Sequence, residues 1–103
     1  MKVKQLENKN QFVILGNNGE IEFQSYNSRI AKISKSGTLE LSIKWDYSKT
    51  TLKHLYIFLE KYLYNLDDYI QNDIKNILIC SKNKRRDLQK LIDSKKIFTN
   101  LKY

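Results

Sequence analysis

The chain has no proline, one cysteine, one histidine and three glycines in 103 residues. A lone cysteine, Cys80, excludes an internal disulfide and any cysteine-rich zinc site. A lone histidine, His54, leaves a Cys–His or Ser–His–Asp arrangement little to draw on, and no clustered carboxylates stand ready to complete a metal site. No cofactor or metal is therefore expected. Two of the glycines fall in Gly16-Asn17-Asn18-Gly19, between apolar stretches and with no helix signal after them. They read as a hairpin turn, not as a phosphate-cradling loop. Apolar runs stop at four or five residues, far short of the roughly 20 needed to cross a bilayer. No basic n-region precedes an apolar h-region, so no signal peptide is expected. These absences predict a soluble chain working in the cytoplasm.

The composition of 41% hydrophobic and 29% charged residues suits one modest core, and the expectation is a single domain over 1–103. Its strand-rich part should span 11–45 and its helical part 49–96. Gln11 to Leu15 and Glu20 to Tyr26 flank the glycine turn as a hairpin, after a lead-in or short edge strand in the first ten residues. A third strand is expected over Arg29 to Ser34 and a fourth over Thr38 to Trp45. In that fourth stretch Leu39, Leu41, Ile43 and Trp45 share one phase of a two-residue period. Past Trp45 the period becomes helical: Leu52, Leu55, Tyr56, Leu59, Tyr62 and Leu63 form one stripe, with Asp46 or Ser48 placed to cap it. A second helix is expected from Asp68 to Cys80 behind Asp67, and a third from Lys84 to Lys95 behind Asn83. Strands first and helices after read as α+β: an N-terminal antiparallel meander of three to four strands, with two to three helices packed on one sheet face.

The net charge of +8 draws the chain towards anionic partners, nucleic acid or acidic protein. Lysine, asparagine and isoleucine are all abundant, as AT-rich coding produces without any selection for binding, so part of the charge is compositional. The densest stretch runs from Lys82 to Lys102. There Lys82, Lys84, Arg85, Arg86, Lys90, Lys95, Lys96 and Lys102 face only Asp87 and Asp93. Arginine is what lysine drift does not supply, and guanidinium groups suit phosphate or carboxylate. Lys82, Lys84, Arg85, Arg86, Lys90, Lys95 and Lys96 are accordingly the expected partner-binding residues. Tyr47, Lys49 and Lys53 form a possible second surface. His54 is expected to be structural and partly exposed, Cys80 to be a small buried hydrophobe, and no residue is expected to be catalytic.

The segment Trp45-Asp46-Tyr47-Ser48-Lys49-Thr50-Thr51, preceded by "FQSYNSRIAKI" and followed by "LQKLIDSKKI", resembles a family of small proteins encoded by phages and plasmids of low-GC bacteria. The likeness covers roughly Phe23 to Ile97 and is most specific from Trp45 to Leu55. It transfers no catalytic residue. It implies an accessory binder of a mobile element, such as an anti-CRISPR-like inhibitor of a host nucleic-acid-guided defence nuclease, docking through a basic surface. The alternative is a regulator that binds DNA or RNA directly. From the residues themselves, Trp45 to Leu55 reads first as a structural joint between strand and helix.

Overall fold

The computed structural model describes residues 2–5, 10–26 and 28–102. Residues 6–9 of the expected lead-in and Asn27 of the expected second turn lie outside them. Six strands form one sheet in chain order: β1 (Lys2–Gln5), β2 (Gln11–Leu15), β3 (Ile21–Ser25), β4 (Ser28–Ile33), β5 (Leu39–Ser42) and β6 (Phe98–Leu101). The helices α1 (Lys49–Lys61), α2 (Asp68–Cys80) and α3 (Lys84–Asp93) come between the last two strands, with a short 3-10 turn at Leu63–Asn65. The class is α+β, as expected. The first five strands are antiparallel neighbours.

Alternation sets what each sheet face does. Val13, Phe23, Ala31 and Leu41 lie opposite one another across four strands, as do Leu15, Ile21, Ile33 and Leu39. Nearly all of these are buried beneath the helices. The other face carries Ile14, Glu22, Lys32 and Glu40 in one row, laced by Arg29–Glu22 at 2.8 Å and Lys32–Glu20 at 3.4 Å. A register shift after Phe23 leaves Ile30 as the extra residue of β4, so Ile30 and Ala31 both turn inward. Helix α1 crosses the inner face with Phe58 stacked on Phe23, ring centroids 5.5 Å apart. Ile70 and Ile74 of α2, Leu88 of α3 and Ile97 complete the same core.

Three departures from the sequence reading matter. The sheet has six strands, not three or four: Lys2–Gln5 is the edge strand that the lead-in allowed, and β6 lies beyond the last expected helix. Strand β6 pairs with β5 in parallel, so the sheet is mixed and not a pure meander. The fourth strand stops at Ser42, where the Trp45 amide donates back to the Ser42 carbonyl at 3.1 Å. This turn breaks the two-residue phase, leaving Ile43 67% exposed while Trp45 is buried. Helix α3 likewise ends at Asp93, before the expected Lys95. Lys95 takes a left-handed φ of 63°, and the Lys95 and Lys96 amides return to the Ile92 and Leu91 carbonyls in a Schellman closure.

Gly37 fastens the sheet to the helices. It has a φ of 91° and its carbonyl accepts the Asp67 amide at 3.1 Å, at the cap of α2. A Cβ there would lie 2.5 Å from that same amide nitrogen. Gly19 has a similar φ of 87° but meets nothing closer than the Lys35 side chain at 3.5 Å. Gly19→Ala should therefore cost roughly 1 kcal/mol of left-handed strain alone. Gly37→Ala adds a backbone collision and should cost roughly 2 kcal/mol or more, read from the urea midpoints of the two variants.

Candidate functional site

Asn83 caps α3 by accepting the Arg86 amide at 3.1 Å, and Leu88 anchors the helix in the core. The opposite face is thereby held towards solvent. The seven expected basic residues, on this helix and beside it, divide into two kinds. Arg85 turns to the strand-to-helix corner: its Nη2 and Nε reach one Asp46 oxygen at 2.6 and 2.9 Å, and its guanidinium carbon lies 5.9 Å from the Trp45 ring centroid. Lys96 reaches Asp73 at 3.0 Å and lies over Tyr69. The hydrogen bond to Asp73 raises the Lys96 pKa above its ordinary value, which keeps it a charged structural tie. Lys84 sits over the Tyr56 ring at 5.9 Å. These three cations are spent partly on the protein itself.

Arg86 and Lys90 remain, exposed one turn apart on α3, with Lys82 exposed just before the Asn83 cap. That spacing places Arg86 and Lys90 about 6 Å apart along the axis. Lys95 continues past the helix end. Among the described residues, Lys82, Lys90 and Lys95 make no ion pair, and Arg86 makes only a loose one to Asp87 at 3.4 Å. Asp87 accepts the Ser81 hydroxyl, and this hydrogen bond, joined by the charges of Arg86 and Lys90, lowers its pKa below the usual carboxylate range. The row is thus basic with one fixed negative charge inside it.

A second feature lies at the corner where β5 gives way to α1. Ser48, not Asp46, caps α1, its Oγ accepting the Thr51 amide at 3.1 Å. Asp46 holds Arg85 instead. A cavity of about 270 Å³ opens beside this cap, with Ser25, Ser28 and Ile30 on the sheet side and Ser48 and Thr51 on the helix side. Lys44, Tyr26 and Tyr47 complete its wall. Of the expected second surface, Tyr47 belongs to this cavity at 77% exposure, while Lys49 and Lys53 are exposed on α1 outside its wall. Ser25 and Gln11 face each other across β2 and β3, buried at 3% and 0% exposure. Among the described residues neither Ser25 Oγ nor either Gln11 amide atom has a hydrogen-bond partner. Sequence reasoning missed both, although a polar residue in the buried phase of an apolar strand was the signal to follow.

His54 is structural but not partly exposed as expected. It is 5% exposed, with Nδ1 2.9 Å from the Thr50 carbonyl one turn back. Cys80, expected to be buried, is exposed near the end of α2. Among the described residues no group of three His, Cys, Asp or Glu side chains is placed to hold a metal ion, and no helix is long and apolar enough to cross a membrane.

The sequence model of DUF8033, a family of unknown function, matches residues 1–76. That span takes in the sheet through β5, the corner and α1, and it ends within α2, before the basic row. No curated protein and no solved structure matches the chain.

Removing the Ser81 hydroxyl tests the electrostatics of the row. Ser81→Ala should move the Asp87 pKa upward, towards the ordinary carboxylate value, as followed by carboxyl NMR titration. A depressed folded pKa contributes stability above the ordinary value and loses it as pH falls through the folded value. The variant should therefore lose stability at neutral pH and converge with the native chain in acid.

Proposed function

We propose that this chain, which belongs to the DUF8033 family of unknown function, works by binding without chemistry, docking on an anionic partner through the exposed row Lys82, Arg86 and Lys90. The carrying observation is that this row stays open to solvent while Arg85 and Lys96 are drawn into internal ion pairs. Cations held apart from internal carboxylates keep their charge available to a partner and steer its approach.

The mixed character of the surface favours a protein or nucleoprotein partner over naked nucleic acid. Asp87 and Asp93 sit within the α3 face, and Gln89 is tied to Asp93 at 3.0 Å. A groove built to follow phosphates gathers one sign of charge, whereas alternating signs suit a surface with its own pattern of charges. Together with the resemblance of the Trp45 to Leu55 segment, this supports an inhibitor of a host nucleic-acid-guided defence nuclease, of the anti-CRISPR kind, acting in the host cytoplasm.

The test is guided DNA cleavage by a purified host nucleoprotein nuclease. The native chain should inhibit, and the triple variant Lys82→Glu, Arg86→Glu, Lys90→Glu should not. Unchanged inhibition by the variant would remove the row from the interface. Fluorescence anisotropy with free duplex DNA and single-stranded RNA, from about 50 to 200 mM salt, decides the alternative. Tight binding that collapses over this range would make the chain a direct nucleic-acid regulator.

A further inference from the structure

We propose that the free edge of β6 is a docking site for an extended, acidic segment of a partner protein, which adds a strand to the sheet there. The inference stands on different residues from the row Lys82, Arg86 and Lys90 and does not depend on it.

The first ground is an edge left without protection. In the order β1 to β6 the outer strands are β1 and β6, and among the described residues each has one strand neighbour. Every second residue of an outer strand turns its N–H and C=O away from the sheet, ready to pair with another chain. Charged side chains and proline are the ordinary protection. Strand β1 has it, since Lys2 and Lys4 both stand exposed on the Lys-Val-Lys-Gln segment. Strand β6, Phe98-Thr99-Asn100-Leu101, carries neither charge nor proline, and Phe98, Thr99 and Asn100 are exposed.

Side chains supply the second ground. Strand β5 ends at Ser42, opposite Leu101, and the next residue, Ile43, projects at 67% exposure. Ile43, Thr99, Asn100, Leu101 and Lys102 line one open groove at this end of β6. A peptide added to a sheet edge takes its affinity from main-chain hydrogen bonds and its specificity from pockets for alternate side chains. With Ile43 on its wall and Leu101 in its floor, this groove suits an aliphatic side chain.

Charge decides the occupant. Lys95 stands before the strand and Lys102 after it, both exposed, and among the described residues neither makes an ion pair. The stretch from Ser94 to Lys102 contains no carboxylate. Asp93, just before it, is engaged by Gln89, and Glu40 lies opposite Phe98 but on β5, one strand further in. The complement is a strand with carboxylates at both ends. A second copy of this chain fits poorly, because antiparallel pairing of two β6 strands would set Lys95 of each beside Lys102 of the other. The ladder is also irregular, with three steps from Phe98 to Leu101 against two from Glu40 to Ser42. Such a bulge bends an edge away from regular stacking of like strands and leaves room for a short segment that can adapt to it.

The test titrates the full chain with capped peptides and follows its backbone amides by NMR. A Glu-Glu-Thr-Val-Thr-Val-Glu-Glu peptide should produce saturable shifts at Ile43 and from Phe98 to Leu101. A Lys-Lys-Thr-Val-Thr-Val-Lys-Lys peptide should bind about tenfold more weakly, the difference that a few exposed charge pairs make. Proline in place of the central valine and threonine, one in each phase of the strand, should abolish binding of the acidic peptide, because proline cannot donate to the ladder. The double variant Lys95→Glu, Lys102→Glu changes two exposed side chains outside the core and should reverse the preference between the two flanking sequences. Absence of saturable shifts at millimolar acidic peptide would overturn the proposal. So would equal binding of the two flanking sequences, binding that survives the prolines, or shifts confined to Lys82, Arg86 and Lys90. A dimer seen by sedimentation without peptide, with the β6 amides shifting on dilution, would give the edge to a second copy and overturn it too.

Discussion

Everything in this fold turns on how the chain leaves the sheet after Ser42. A sheet with one apolar face needs helices delivered to that face and to no other. Between Ser42 and Ser48 the backbone must stop pairing, bury an indole and start a helix at a fixed angle. It does so with two successive turns, the Trp45 amide to Ser42 and the Tyr47 amide to Lys44, followed by the Ser48 cap. Once α1 is set down at that angle, Phe58 meets Phe23 and the inner face is covered. Arg85 then reaches back from α3 to Asp46, so the last helix is indexed to the same corner. Its guanidinium covers the Trp45 ring on the way.

That arrangement divides the basic residues by role. Those near the N-terminal end of α3 or beside α2 find internal partners, since the helices bring Asp46 and Asp73 within reach. Those on the outward row do not, apart from the loose contact of Arg86 to its neighbour Asp87. A cluster that is continuous in sequence becomes two groups in space, one holding helices together and one facing outward. The corner segment is similarly double. Its indole and its cap are structural, and a cavity remains between cap and sheet.

Much of this was legible in the residues. The hairpin across Gly16 to Gly19, the caps at Asp67 and Asn83, a cap for α1 at either Asp46 or Ser48, and the extent of α2 follow from turn chemistry and a helical period that tertiary structure did not override. What escaped the reading came from pairing at a distance. Phe98 to Leu101 has no alternation of its own and becomes a strand only because β5 offers an open edge. The end of β5 was overrun because Ile43 continues the apolar phase, and no local rule says that the Ser42 carbonyl will turn back to Trp45. His54 lies off the apolar stripe of α1, yet the buried arc of that helix is wider than the stripe and takes in Thr51 and His54 with Leu55, Phe58 and Leu59. The candidate binding row was legible as charge, though not as exposure: which cations remain open depends on Asp46 at the corner and Asp73 on α2. Gln11 and Ser25 were visible as polar residues out of phase, and their meaning appears only when two strands place them face to face.

The parallel pairing of β6 with β5 sets an order of events in time. No more than five residues separate each of the first five strands from the next, and each can find its neighbour through local closure. The sixth can add only after three helices have formed and folded back, and closing so long a loop is entropically costly before it is rewarded. Until then β5 presents a bare row of backbone donors and acceptors, the kind of edge that recruits strands from other chains. The nascent molecule therefore passes through a stage in which its own C-terminal strand competes with intermolecular pairing.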